Sequence, residues 1–202
     1  VLLAKADRLK KSAATKETEL HNDTQLWQDL QHGDPQALEK LFHHHYSILY
    51  DYGVKLTRQK ELVKDGIQEL FAYIWEKHER LADAKSIRAY LLVSLRRQLL
   101  LALAKQHQRT SVQEEFGVDQ FEDIFTAEDL IIFAEKEKNE REAFKKAFNQ
   151  IPARLREALY LRTYDSLTYK EIAEIMNVTL QVARNYVSEA LQHFRKLMRP
   201  NS

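Results

Sequence analysis

Thr168–Arg195 reads TYKEIAEIMNVTLQVARNYVSEALQHFR, and its reading decides the fold. Thr168 and Glu171 stand three apart, the spacing of a capping box that opens a helix. That helix runs over about Tyr169–Met176, with Ile172, Ala173 and Met176 on its inner face. Asn177-Val178 makes the turn, since Asn tolerates left-handed backbone geometry. Thr179 caps a second helix over about Leu180–Met198, which Val182, Val187 and Leu191 are expected to fix against the first. Ala173 is small where two helices cross closely. Gln181, Arg184, Asn185 and Ser188 are left on an outer face, polar side chains able to bond base edges or phosphates in a major groove. The segment reads as a helix-turn-helix; a plain helical hairpin is the other reading open to it.

Working outward, the same helical periodicity recurs. Pro152 opens a helix that ends near Arg162. Another runs from about Ala127 to about Asn149, with Thr126 and Asp129 in a capping arrangement. Towards the N-terminus, Gly33-Asp34-Pro35 is a break followed by a helix start, Asp34 as cap and Pro35 in the first turn. Leu38, Leu41, Phe42, Ile48, Leu49, Tyr52 and Leu56 follow at helical spacing. A second helix spans about Gln59–Lys77, and Ser86 caps a third that reaches about Gln108. Residues 1–22 read as a polar extension. No strand and no internal repeat is evident, so the expectation is an all-α chain of two small helical domains. Their limits are 1–22 for the extension, 23–109 for the first domain, 110–126 for a linker and 127–202 for the second domain.

Composition excludes several alternatives. In 202 residues there are 4 Gly and 3 Pro, against averages of roughly 7% and 5%. So few turn residues argue against an all-β fold, and no two glycines are close enough for a phosphate-cradling loop. With no cysteine, disulfides, thiolate metal sites and a cysteine nucleophile are out, which suits a reducing cytoplasm. The longest apolar run, Leu99–Ala104, is short of the ~20 residues a bilayer needs. No charged stretch followed by a long apolar one opens the sequence.

The net charge of +1 hides a pattern. Residues 1–84 sum to −2, 85–109 to +6, 110–140 to −8 and 141–202 to +5. Two basic blocks separated by an acidic one suggest two anion-binding surfaces and a spacer. Solvated helix faces give charge runs as well. The acidic linker is expected to fold over the basic surfaces of the free protein.

At this point the chain resembles a known family. Asp65-Gly66-Ile67-Gln68-Glu69-Leu70-Phe71-Ala72-Tyr73-Ile74-Trp75 is similar to the D-x-x-Q-E-x-F-x-x-x-W signature of sigma-70 family RNA polymerase sigma factors. Ile87-Arg88-Ala89-Tyr90-Leu91 with Arg96 resembles the family's helix that melts and reads the promoter −10 element. Ile151-Pro152 to Met198 resembles the domain that reads the −35 element. The size suits the extracytoplasmic-function (ECF) class. The resemblance implies a sigma region 2 bundle and a sigma region 4 helix-turn-helix joined by the acidic linker. It implies a non-enzymatic, cytoplasmic transcription initiation factor, without cofactor or metal, whose partners are core RNA polymerase (clamp helices of the largest subunit, and flap), promoter DNA and an anti-sigma factor. A helix-turn-helix regulator acting without polymerase is the alternative.

The resemblance also assigns residues. Asp65, Gln68 and Glu69 fall within about one helical turn and are expected to meet basic clamp residues, while Phe71 and Trp75 are expected in the core. Lys85, Arg88, Arg96, Arg97 and Lys105 are expected to hold the melted −10 strand, with loop Lys77–Ser86 capturing an extruded base. Tyr90 belongs to the apolar stripe. Gln181, Arg184, Asn185 and Ser188 are expected to read the −35 element. The chain departs from the family pattern at several points, among them Tyr186 and Glu189, near which basic residues are usual. Arg97 stands where Asn is usual, which bears on the −10 base preference. Val182 stands where Thr is usual. Gly66 stands where an apolar residue is usual, predicting a looser docking helix. His43-His44-His45 invites a metal site, but consecutive helical residues point ~100° apart, so the three are not expected to share an ion.

Overall fold

The computed structural model describes residues 22–110, 148, 150–163 and 167–198. Most of the acidic linker and of the helix expected over 127–149 lies outside the described residues, as do residues 1–21. Among the described residues there is no strand, and no helix is long and apolar enough to cross a membrane. The helices are α1 (22–31), α2 (Pro35–Thr57), α3 (Lys60–Glu76), α4 (Ile87–Thr110), α5 (Ala153–Thr163), α6 (Tyr169–Met176) and α7 (Leu180–Met198), with a 3-10 turn at His78–Arg80.

The helix starts follow local chemistry. Asp34 Oδ1 accepts the Gln36 N–H at 2.8 Å, satisfying a donor that has no partner inside the first turn of α2. Pro35 sits at that first turn, and α2 closes on Arg58 in the left-handed region at φ 58°. Ser86 Oγ accepts the Ala89 N–H at the start of α4. Pro152 O accepts from both Leu155 and Arg156, opening α5.

Helices α2, α3 and α4 pack on one another around Leu41, Leu49, Leu56, Ile67, Ile74, Leu91, Leu92, Leu95 and Leu99, all buried. Two glycines permit the close approach. A Cβ on Gly53 would lie 2.7 Å from Val63 Cγ1, and one on Gly66 would lie 3.2 Å from Leu99 Cδ2. Gly66 therefore does not loosen α3, as the sequence pattern predicts; it seats α3 against α4.

Helix α1 has no counterpart in the sequence reading, which treats the break at Gly33 as the first landmark. Leu26, Trp27 and Leu30 on α1 are buried. Trp27 Nε1 donates to Ala82 O at 3.1 Å, and Gln31 Nε2 donates to Leu81 O at 2.7 Å. The Trp27 ring meets Tyr90 edge-on at 5.2 Å, so half-buried Tyr90 packs at the core margin. Helix α1 is also tied to α2. Asp23 Oδ2 lies 2.9 Å from His45 Nε2, and Asp23 Oδ1 lies 3.4 Å from His44 Nδ1. Burial pushes the Asp23 carboxyl up, and the hydrogen bonds and charges of His45 and then His44 outweigh it, holding it below the usual carboxylate value. His43 points away to Glu39, at 3.8 Å. Adjacent histidines thus do converge on one partner, a carboxylate reaching in from another helix. Among the described residues no group of three His, Cys, Asp or Glu is placed to hold a metal.

The second half is built on α5, which is buried on nearly every face, Arg156 and Glu157 included. Helices α6 and α7 pack on α5, and α6 also lies against α4. The two halves are therefore in direct contact.

Two outcomes are expected from urea unfolding. Gly53→Ala destabilises by about 1–3 kcal/mol through overpacking, whereas Gly66→Ala stays within about 1 kcal/mol of the parent because helix propensity offsets the tighter contact. Asp23→Asn costs about 1–2 kcal/mol at neutral pH. A lowered carboxyl contributes stability above its unfolded value and loses it as pH falls through the folded one. The gap between variant and parent accordingly closes below the ordinary value of 3.8.

Candidate nucleic-acid interface

Helices α6 and α7 form the helix-turn-helix. Thr168 Oγ1 accepts the Glu171 N–H at 3.3 Å, and Glu171 Oε2 accepts the Thr168 N–H at 2.8 Å. Asn177 takes the left-handed conformation, φ 53° and ψ 52°. Thr179 Oγ1 accepts the Val182 N–H at 3.3 Å and opens α7. The inner face of α7 is Ala183, Val187 and Ala190, all buried. Leu191, expected to fix this helix, is 37% exposed. One residue is about 100° on a helix, and this rotation carries Leu191 past the contact line that Val187 and Ala190 define. Val182 is half-buried.

Opposite that face, Gln181, Arg184, Asn185 and Ser188 are all exposed. Their spacing of three, four and seven places them on one stripe. Gln181 Nε2 donates to Asn185 Oδ1 at 2.9 Å, which presents the two amides as a unit with Arg184 beside them. Two amides, a guanidinium and a hydroxyl offer both donors and acceptors, the repertoire needed to discriminate base edges.

On α3, Asp65, Gln68 and Glu69 are exposed together, on the face turned away from Val63, Ile67, Leu70 and Phe71. Glu69 accepts from Gln98 of α4. Beside Asp65 and Gln68 a groove opens between α2 and α3, floored by Phe42 and Tyr46. The Phe42 ring is 5.2 Å from Tyr46 and 5.1 Å from Phe71. In the sequence, Phe42 belongs to the helical stripe and nothing singles out Tyr46. Only their i,i+4 spacing marks them as a pair, and many core pairs share it.

Phe71 is buried as expected, but Trp75 is 37% exposed and Tyr73 is 55% exposed. Trp75 leaves the core because α3 ends one residue later and the ring stacks on His78, centroids 5.0 Å apart. The assigned loop that follows is braced from behind by α1 through Trp27 and Gln31.

The five cations assigned to the first domain are not equivalent. Lys85, Arg97 and Lys105 are exposed, and Arg88 is half-buried. Arg96 is 9% exposed and is turned away from solvent. Its Nε donates to Glu157 Oε1 at 2.9 Å and its Nη2 to Oε2 at 3.2 Å. Tyr52 Oη donates to Glu157 Oε1 at 2.7 Å. Burial and then the Glu157 carboxylate push the Tyr52 hydroxyl well above its ordinary value, so it stays a donor. Burial works against the Arg96 charge, and Glu157 outweighs it, raising its pKa. In this arrangement Arg96 does not belong to a DNA-facing set, because its hydrogen-bonding edge is taken by the other half of the chain. Sequence reasoning had no sign of this partner, which lies 61 residues away.

Comparisons with known proteins fit this geometry. Residues 141–194 match the family model described as sigma-70, region 4. No curated protein matches the sequence. Among solved structures, CnrH in complex with the cytosolic domain of CnrY superposes with a TM-score of 0.57 at 15% identity, over 90% of this chain and 99% of that one. The sigma factor RpoE from Bartonella quintana, in complex with the anti-sigma factor NepR, superposes with a TM-score of 0.53 at 19% identity, over 81% of this chain and 98% of that one. Residues 141–194 are thus similar to sigma region 4, and both halves of the chain share the fold of these two structures.

Proposed function

We propose that this chain is a transcription initiation factor of the ECF class, which binds core RNA polymerase and directs it to a set of promoters. The observation that carries this reading is the stripe Gln181, Arg184, Asn185 and Ser188. It is exposed on the second helix of a helix-turn-helix whose sequence is that of a sigma region 4. In this reading the stripe enters the major groove of the −35 element. Arg184 contacts a base edge, and Gln181 with Asn185 reads the neighbouring pair.

The α3 face of Asp65, Gln68 and Glu69 docks on a basic surface of the polymerase, with the Phe42–Tyr46 groove beside it receiving an apolar side chain. Carboxylates on an exposed rim steer and orient such an encounter more than they tighten it. The −10 strand is held by Lys85, Arg88, Arg97 and Lys105, with Arg96 joining once it is released. Loop Lys77–Ser86 takes the extruded base, and exposed Trp75 and Tyr73 at its edge offer stacking surfaces. Arg97, in place of the usual Asn, contributes a charge rather than an amide to this surface. The protein works in the cytoplasm, where the polymerase is, and an anti-sigma factor holds it inactive.

Gel filtration with bacterial core polymerase tests the reading. The chain is expected to co-migrate with the enzyme, and Gln68→Ala with Glu69→Ala to abolish co-migration while leaving the helix content intact. A chain that stays apart from the polymerase yet binds duplex DNA with a steep salt dependence would instead be a free-standing regulator. For DNA, Arg184→Ala is expected to weaken binding to selected promoter duplexes by about 1–3 kcal/mol and to relax preference at one position. Unchanged affinity and preference on a mobility-shift assay would remove Arg184 from the interface.

A further inference from the structure

One of the five cations assigned to the −10 strand is hidden by the fold. Arg96 on α4 and Tyr52 on α2 belong to the first half of the molecule, and Glu157 on α5 belongs to the second. Arg96 grips the carboxylate with two nitrogens, at 2.9 and 3.2 Å, and Tyr52 adds a third hydrogen bond at 2.7 Å. A guanidinium binds a carboxylate and a phosphate with the same two-pronged geometry. Glu157 therefore sits where a DNA phosphate would sit if Arg96 were free.

Apolar side chains of both halves join one buried cluster, and further polar contacts cross the junction beside them. Ser86 Oγ, at the start of α4, donates to Glu171 Oε1 on α6 at 2.8 Å. Lys55 lies over the Tyr160 ring, 5.3 Å from its centroid. An interface centred on a buried ion pair differs from an apolar one. Closing it strips water from both charges, and opening it returns that hydration. Such a junction holds its two sides in one register without holding them irreversibly.

We propose that Glu157 is an internal competitor of DNA for Arg96, a latch that closes region 4 against region 2 and keeps the free chain from gripping a melted strand. Opening the latch exposes Arg96, Ser86 and the flank of α5 at once. The inference rests on the reading of Arg96 as a −10 contact. The agent of opening is a partner that separates the two halves, and DNA alone competes poorly with a carboxylate already in place.

The test uses the 202-residue chain, whose lack of cysteine lets a donor and an acceptor dye be attached at Lys60→Cys and Gln192→Cys, both exposed positions. In this labelled background Glu157→Gln is expected to lower energy transfer between the halves. It is also expected to raise affinity for a fluorescent single-stranded oligonucleotide of random sequence by about tenfold, the gain available when a minor competent state becomes the major one. Arg96→Ala with Glu157→Gln is expected to keep the lowered transfer and lose the gain in affinity. Tyr52→Phe, which deletes one hydrogen bond and keeps the ring, is expected to shift both readouts less and in the same direction, and it serves if Glu157→Gln does not fold. Unchanged transfer in variants with parental helix content overturns the latch. Lowered transfer with no gain in DNA affinity overturns the proposal through the reading it rests on, since Arg96 would then be free and still idle.

Discussion

Glu157 is 1% exposed, and a carboxylate so deeply buried is tolerable only with its charge and its lone pairs satisfied. An isolated ion of this size moved into a dry interior costs on the order of 20 kcal/mol in the idealised limit, and several kcal/mol after relaxation. Arg96 and Tyr52 offset that cost, and both come from the opposite half of the chain. The packing of α5 follows from this constraint. It is a helix buried on nearly every face, with Ala158, Leu159, Tyr160 and Leu161 enclosed, yet it carries the Glu157 charge on the side that meets α2 and α4. Removing one partner from a pair of this kind costs about 3–5 kcal/mol, far more than the pair contributes net. The pair thus bears more on the register of the junction than on its strength.

The proposed function is spread over surfaces that the two halves present separately. The polar stripe of α7 faces away from Ala183, Val187 and Ala190, so packing and the proposed recognition do not compete for the same side chains. The acidic face of α3 likewise lies opposite its buried stripe. Between them, the loop before α4 is short of regular structure but not of support. Trp27 and Gln31 donate to its carbonyl groups, which gives the loop a fixed backbone. A rigid element behind a loop positions its side chains for a ligand without a large ordering cost.

Much of this was legible in the sequence because local chemistry decides it. Asp34-Pro35, Ser86, Thr168 with Glu171, Asn177 and Thr179 each mark a helix boundary, and each makes the bond its residue type suggests. The outer stripe of α7 was legible for the same reason, since the two residues from Asn185 to Val187 turn the helix by about 200°. What escaped was non-local. Helix α1 carries only Leu26, Trp27 and Leu30 as apolar residues, too few for a periodic signal, and it is held by contacts to a loop some 50 residues on. Trp75 and Leu191 follow the apolar pattern and yet lie outside, because pattern gives a face but not where a helix contact ends. Gly66 reads as a weak point on a helix and serves as a close-packing point between two. The pairing of Arg96 with Glu157 has no local signature at all, because nothing near either residue encodes a partner in the other domain.

The account stands or falls on whether this chain starts transcription. Run-off transcription with the purified protein, bacterial core polymerase and a pooled library of promoter fragments measures that directly. The account predicts discrete transcripts that core polymerase alone does not produce, with start sites downstream of a shared pair of promoter elements. A library that yields the same background with and without the protein, under conditions where a known initiation factor gives transcripts, would contradict it.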